Sequence, residues 1–231
     1  MDTRSELETE LVAQLQVAAN SSLYPASRIT TLIQNAYKKA TNIFVWLDLV
    51  KAFTGSTKNG YEYYDFPDAI RSSTIVRLEI DGEPYGRKVF SDYQDYKENN
   101  ANTTKEMFAF YGRFFFVNPI PSADGSSNMD IWGAVQADAL SAGSTETIFT
   151  NSNPLGNEAV VQLAFAVAIK RIDSSLAKKE KEEAIAVLAK LNLDEWKATQ
   201  GSKKLDNPLF NVPNYFGDDR SAGIGKFSYQ S

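Results

Sequence analysis

The sequence has helical periodicity at both ends and strand alternation in the middle. Apolar residues recur every three or four positions over residues 29–44 and again over residues 160–176. Between these segments, Val76, Leu78 and Ile80 alternate with charged residues. A period of 3.6 places apolar side chains on one face of a helix, and a period of 2 places them on one face of a strand. The chain therefore predicts an α+β fold, in which helices from both ends form a bundle and a sheet domain is inserted between them.

Residues 1–55 are predicted to form the N-terminal part of the helical bundle. Leucines recur at helical spacing from Leu7 to Leu15, and glutamates near the start of this segment complement the helix dipole. Residues 29–44 hold the helical period for four turns. The apolar run 43–50 predicts a third helical piece that ends before Gly55.

Residues 56–150 are predicted to form an antiparallel β domain, either a sandwich or a barrel-like sheet of five or six strands. Asp81-Gly82 and Gly112-Arg113 have turn residues typical of tight hairpins. The polar segment 91–99 predicts one short helix. The predicted strands cover residues 61–66, 74–80, 85–89, 107–111, 114–117 and 128–137.

Residues 151–200 return to helical periodicity, as a helix hairpin or one bent helix over 157–199, and form the C-terminal part of the bundle. Residues 201–231 lose the periodicity but keep aromatic side chains, which a disordered tail usually lacks. They predict an extended arm that docks on a neighbouring subunit or another partner; the alternatives are an arm folded back on its own domain or a frayed end. The candidate docking residues are Leu209, Phe210, Tyr215, Phe216, Phe227 and Tyr229.

The chain contains no Cys and no His, which excludes cysteine nucleophiles, Cys/His zinc sites and Ser-His-Asp triads. We expect no enzyme, no cofactor and no metal site. Ser175-Leu-Ala-Lys178 matches an acyl-transfer pattern but lacks the companion motifs. Asp218-Asp219 is interpreted as a solvated turn, and Phe114–Phe116 as a core or interface strand.

The charge and the hydropathy of the chain limit its partners. A net charge of −5 argues against a protein that grips nucleic acid, because phosphate binding needs concentrated Lys and Arg. No apolar run approaches the roughly 20 residues of a membrane span. We therefore expect a cytoplasmic product that makes no use of a membrane.

Short motifs follow one another in a fixed order along the chain. They are Arg28-Ile29 to Ala36-Tyr37, then Trp46-Leu47, then Tyr63 to Phe66-Pro67 with Arg71, then Phe115 to the Pro119-Ile-Pro121 step. In these motifs and in their order, the chain resembles the head-tail adaptor (connector) proteins of tailed bacteriophages. The resemblance extends over roughly residues 5–195.

The resemblance implies a virion structural protein that forms a ring, typically of twelve copies, beneath the portal and joins the capsid to the tail. The implied partners are further copies of the chain, the portal protein and a tail tube or nozzle protein. DNA would pass through the lumen without specific binding. A negatively charged channel wall would help to prevent binding. The helices would pack around the ring, the sheet would face the tail, and the arm 201–231 would reach the portal or the next subunit. The implied location is the virion neck, after assembly in the host cytoplasm.

Other functions stay open from the residues alone. A stopper or tube protein of the same tail would attach to an adaptor and not to the portal. A carbohydrate-binding module would use the aromatic sheet, with exposed Trp or Tyr in a groove. A carboxylate-dependent hydrolase would need two acidic side chains about 5–10 Å apart in a cleft.

Overall fold

The architecture is α+β, with a helical layer and one mixed sheet. A computed structural model describes residues 3–16, 22–99, 104–150 and 154–200. In these residues the helices are α1 Arg4–Leu15, α2 Ala26–Ile43, α3 Phe90–Asn99, α4 Pro154–Ile169 and α5 Ser174–Gln200. The strands are β1 Val50–Gly55, β2 Tyr63–Asp65, β3 Ile70–Ile80, β4 Glu83–Lys88, β5 Met107–Tyr111, β6 Phe114–Asn118 and β7 Met129–Val135.

The first two helices follow the predicted apolar stripes. The backbone N–H of Thr3 donates to the Glu6 carboxylate at 3.2 Å, so α1 begins where the acidic residues satisfy its free amides. Leu7 and Leu11 are fully buried. In α2 the buried residues repeat at helical spacing, which confirms the predicted helix: Ile29, Ile33, Ala36, Tyr37 and Ala40.

The predicted third helical piece at 43–55 is wrong in its second half. After α2, Leu47–Leu49 form a single 3-10 turn, and Val50–Gly55 then form strand β1. β1 pairs antiparallel with β7, from Val50 opposite Ala134 to Gly55 opposite Met129. An apolar run has no period that separates a buried helix from a buried strand, and pairing with β7 decides between them.

The seven described strands lie in the order β1-β7-β3-β4-β5-β6-β2 and curl into a half-barrel. The prediction of an entirely antiparallel sheet is wrong at one pair, because β4 and β5 run parallel. A parallel pair needs a crossover, and α3 provides it. Both predicted hairpins are confirmed: Asp81 and Gly82 have φ of 55° and 81° between β3 and β4, and Gly112 has φ of 60° between β5 and β6.

The two sides of the sheet bury different residues. Ile75, Leu78 and Ile131 belong to a core inside the curl, together with Phe108 and Phe115. At the start of the sheet, Ala134 belongs instead to the helical core, and Val50 and Val76 pack against it. Ile75 and Val76 are consecutive strand residues, so they point to these two different cores, and the bulge between Ile75 and Arg77 returns Leu78 to the face of Ile75. The sheet is thereby fixed to the helical layer.

The helical layer surrounds α4, which contacts α1, α2 and α5. One buried core includes residues of all four helices together with Trp46 and Phe149. The α4–α5 pair confirms the helix hairpin among the two predicted arrangements, because residues 170–173 form a turn between the helices. None of the described helices combines the length and the apolar character that crossing a membrane would require.

Candidate docking surfaces

The six candidate docking residues of the arm lie outside the described residues. Leu209, Phe210, Tyr215, Phe216, Phe227 and Tyr229 all fall within 201–231. Asp218-Asp219 falls there as well. Their proposed role stays a prediction from the sequence.

The structure does define where the last described helix ends. In the last turns of α5, the indole Nε1 of Trp196 donates to the Val45 carbonyl at 2.9 Å, and Asn192 Nδ2 donates to the same oxygen at 2.8 Å. Val45 lies five residues before β1, which is an edge strand of the sheet. The last turns of α5 therefore lie beside the junction between the helical layer and the sheet.

An apolar surface, which we name the apolar end, lies at the turn between α4 and α5. Val167 is 60% exposed and Ile172 is 75% exposed, and Leu176 is exposed in the first turn of α5. The backbone N–H of Leu176 donates to Asp173 Oδ1 at 2.8 Å, so Asp173 caps α5 and fixes the turn. Exposed apolar side chains grouped on a rigid turn are typical of an interaction surface.

Two apolar stripes run along α4, and most of their side chains are buried within the chain. Val160, Val161 and Leu163 are buried against the neighbouring helices. The stripes reach open surface at Val167 and, beyond α4, at Ile172 and Leu176. The part of these stripes that other subunits could contact is therefore at the C-terminal end of α4, because α1, α2 and α5 cover most of the helix.

A small cavity of about 230 Å³ lies between the helical layer and the start of the sheet. Glu195 of α5 lines it, and its Oε1 accepts a hydrogen bond from the Leu47 N–H at 3.1 Å. Burial and, to a smaller extent, the negative charge of Asp48 raise the pKa of Glu195 to about 7. Backbone N–H groups of Leu47 and Asp48 oppose this rise. The carboxyl group fastens α5 to the turn that precedes β1.

A shallow groove of about 370 Å³ lies beside α3. Glu62 pairs with Lys97 in it, and the Tyr93 hydroxyl lies 2.9 Å from a Glu62 oxygen and 2.9 Å from the Val117 carbonyl. Burial is the main cause that raises the pKa of Tyr93, and the Glu62 carboxylate adds to it. Aromatic rings of Phe90 and Phe116 complete the lining. The groove therefore brings aromatic rings and charged side chains together on one open surface.

The remaining sequence motifs lie apart from these surfaces. Ser175 and Lys178 are exposed in the first turns of α5, and Lys178 Nζ lies 4.0 Å from Glu182. Phe115 is fully buried in the sheet core, as expected for a core strand, while Phe114 and Phe116 are half-buried. In the part of the chain that the structure describes, no group of three acidic side chains is arranged to hold a metal ion.

Sequence reasoning did not single out Glu195 or Arg87 as functional candidates. Glu195 sits on a mixed-charge helix, and its partner Leu47 is 148 positions away. Arg87 occupies a short strand between a turn and a helix. The chain offers no local signal for either residue, since both depend on long-range packing. No protein family model matches the sequence, and no curated protein matches it either.

Proposed function

We propose that the chain is a structural protein of a phage virion, a head-tail adaptor that forms a ring beneath the portal and joins the capsid to the tail. The observation that carries the proposal is the arrangement of elements around one core. α1 and α2 precede the sheet, α4 and α5 follow it, and all four contribute to the same buried cluster. The four motifs that resemble the adaptor family occur in this order.

In the proposed ring, the four helices form the bundle that packs around the circumference, and the curled sheet faces the tail. A closed ring needs two different patches on each copy, because each subunit presents one patch to the other patch of its neighbour. The apolar end at Val167 and Ile172 supports one patch by its exposure. The arm 201–231 supplies the second contact, to the next subunit or to the portal.

The experiment measures assembly of the full-length chain by native mass spectrometry, alone and mixed with a portal protein encoded by a neighbouring gene. We expect a ring, alone or on the portal. Ile172→Glu should prevent it, because a charge would have to be buried in the contact. The matched control is Val89→Glu, since Val89 is also exposed but lies in the sheet region.

Two outcomes would contradict the adaptor proposal. If the chain binds an adaptor ring and not the portal, it is a stopper or tube protein. If neither the intact chain nor Ile172→Glu assembles with any neck component, the structural role fails. If deletion of 201–231 leaves portal binding unchanged, the arm has no part in that binding. The ring proposal would not be affected by this result.

The groove beside α3 favours a carbohydrate-binding module as the second candidate. It combines three aromatic rings with the carboxylates of Glu62 and Glu98 and the amide of Gln94. Binding of a soluble glycan that Phe116→Ala abolishes, in a chain that never assembles, would favour this function. Cleavage of that glycan would instead favour the hydrolase.

A further inference from the structure

Arg87 in β4 carries a positive charge that the described part of the chain does not neutralise. Its guanidinium lies over the Phe110 ring, 4.5 Å from the centroid. The Nη1 atom is shielded from solvent and has no hydrogen-bond partner among the described residues. Burial lowers the pKa of the guanidinium. A charged group in this state is unfavourable unless something supplies an acceptor.

The other two half-buried arginines of the described chain differ from Arg87 in this respect. Arg4 donates to the Leu140 and Ser141 carbonyls, at 3.1 and 2.8 Å. Arg71 donates to the carbonyls of α2. The chain therefore provides oxygen acceptors for two of these three guanidinium groups, and Arg87 is the one of the three that makes no hydrogen bond within the described residues.

The aromatic side chains around Arg87 indicate which kind of molecule could carry the acceptor. The Phe66 ring lies 5.5 Å from the Phe110 ring. Tyr85 lies two positions before Arg87, on the same face of β4, and packs against the sheet core. All four side chains are half-buried, so the site is open on one side. We name these residues, Arg87, Phe110, Phe66 and Tyr85, the Arg87 cup.

A cup of aromatic rings around a guanidinium is suited to bind a segment in which a carboxylate lies next to aromatic side chains. The planar guanidinium donates two parallel hydrogen bonds to a carboxylate, and these are stronger than bonds between neutral groups. Phenyl and phenol rings pack on the exposed ring edges. A free inorganic anion would satisfy the charge but would leave the aromatic surface uncovered.

We propose that the Arg87 cup binds the Asp218-Asp219 carboxylates of the same chain, with Tyr215 and Phe216 packed against its aromatic rings. Residues 201–231 contain three acidic side chains, at 206, 218 and 219. The pair at 218 and 219 follows two aromatic residues after a single glycine. The acceptor that the cup lacks, and aromatic side chains that can pack on its rings, are therefore present in one five-residue segment, 215–219.

The chain is long enough for this contact. Trp196, five positions before residue 201, contacts Val45 near the beginning of β1, and β4 is three strands away from β1 in the sheet. Three strand spacings amount to roughly 15 Å, whereas the fifteen residues from 201 to 215 extend up to about 50 Å. The inference concerns the free chain, and it stands whether or not the chain forms a ring.

Hydrogen exchange of the full-length chain, followed by mass spectrometry over peptides that contain residues 215–219, tests the proposal. We expect these amides to exchange roughly tenfold or more slowly than in an unstructured peptide, since charge-assisted pairs contribute about this factor. Arg87→Gln and Asp218→Asn/Asp219→Asn should each remove the protection, and combining them should have no further effect. Arg87→Glu with Asp218→Lys/Asp219→Lys should restore it.

Two substitutions serve as matched controls. Arg113→Gln removes an exposed arginine that also lies over a ring, 4.9 Å from the Phe114 centroid, and Asp206→Asn removes an acid at the start of the arm. Both should leave the exchange unchanged. The arm variants test the proposal even if Arg87→Gln does not fold, because they leave the cup intact.

The proposal is overturned if residues 215–219 are unprotected in the wild type, or if protection survives Arg87→Gln. It is also overturned if protection rises with protein concentration, because the occupant would then belong to a second copy. If the chain forms no ring but the amides of 215–219 are protected, the adaptor proposal is rejected and the proposal for the Arg87 cup is kept.

Discussion

The indole Nε1 of Trp196 donates a hydrogen bond to the Val45 carbonyl at 2.9 Å, across 151 positions of sequence. Both residues are buried. The contact joins the end of α5 to the segment between α2 and β1, so it connects the last helix to the first strand. The bond therefore fixes the C-terminal end of α5 against the junction of the two layers.

Trp196→Phe should lower the free energy of unfolding by about 1–3 kcal/mol, because the Val45 carbonyl loses a donor and a small cavity remains. Chemical denaturation measures the change. The control is Trp132→Phe, since Trp132 is half-buried on the outer face of the sheet beneath Arg77. A smaller effect at Trp196 than at Trp132 would contradict the structural role of the bond.

Arg71 of β3 caps the end of α2. It donates to the Thr41 and Phe44 carbonyls at 2.9 Å each, and to Asn42 Oδ1 at 3.0 Å. Arg71→Met should lower the free energy of unfolding by about 2–4 kcal/mol, since half-buried carbonyls lose charged donors. A thermal melt of the purified variant would detect this loss.

The comparison for Arg71 is Arg77→Met, on the same strand. Arg77 is exposed and pairs with Glu79 on the surface. Exposed pairs contribute little, so this substitution should change the free energy of unfolding by less than about 1 kcal/mol. Equal effects of the two substitutions would show that stability depends on the charge of β3 and not on the cap of α2.

Local pattern was sufficient for the elements whose burial repeats regularly. The stripe of α2, with Ile33 and Tyr37 buried, and the Asp81-Gly82 hairpin followed directly from residue spacing. Strand β1 did not, because an apolar run carries no period and its pairing partner β7 lies about 80 positions away. The parallel β4–β5 pair was equally hidden, since a short helix does not reveal the direction in which the chain returns.

The candidate surfaces were predictable only in part. Apolar residues at 167 and 172 were visible in the sequence, but which side of α4 stays exposed depends on three other helices. The acceptors of Arg71 lie about 30 positions away in sequence, and the state of Arg87 follows from the aromatic rings of the neighbouring strand. Contacts between residues far apart in sequence cannot be predicted from a local sequence pattern.

Gly156 in α4 allows close approach of the Phe149 ring. A Cβ at this position would lie 2.5 Å from two ring atoms of Phe149, which itself packs edge-on against Trp46 with centroids 5.0 Å apart. Gly156→Ala should therefore lower the free energy of unfolding by about 1–3 kcal/mol, despite the better helix propensity of Ala. Near-ultraviolet circular dichroism should also report the displaced aromatic rings.

A second alanine substitution separates this clash from the general effect of replacing glycine. At Gly86 the nearest atom to a new Cβ is the Glu106 carbonyl oxygen at 3.7 Å, an ordinary contact. Gly86→Ala should leave stability within about 1 kcal/mol of the wild type. If Gly156→Ala were the more stable variant, the packing of Phe149 would have to differ from that described.

Glu195 should make the stability of the fold depend on pH between about 4.5 and 7. Burial raises its pKa from 4.5 to about 7 in the folded chain, so the folded state binds the proton more tightly than the unfolded state. The stabilisation is complete below pH 4.5 and is lost as the pH rises through 7. After allowance for partial exposure to solvent, the change amounts to roughly 1–2 kcal/mol.

Glu195→Gln should remove this dependence, because the amide oxygen still accepts the Leu47 N–H but carries no charge. The variant should match the wild type near pH 4.5 and exceed its free energy of unfolding by roughly 1–2 kcal/mol near pH 8. Denaturation curves at a series of pH values measure the difference, with the exposed neighbour Asp194→Asn as control. A gain at pH 8 from Asp194→Asn as large as that from Glu195→Gln would mean that overall charge, and not the buried carboxyl group, limits stability. A gain from neither substitution would mean that the Glu195 carboxylate is fully solvated, which would contradict its position in the cavity beside Trp46.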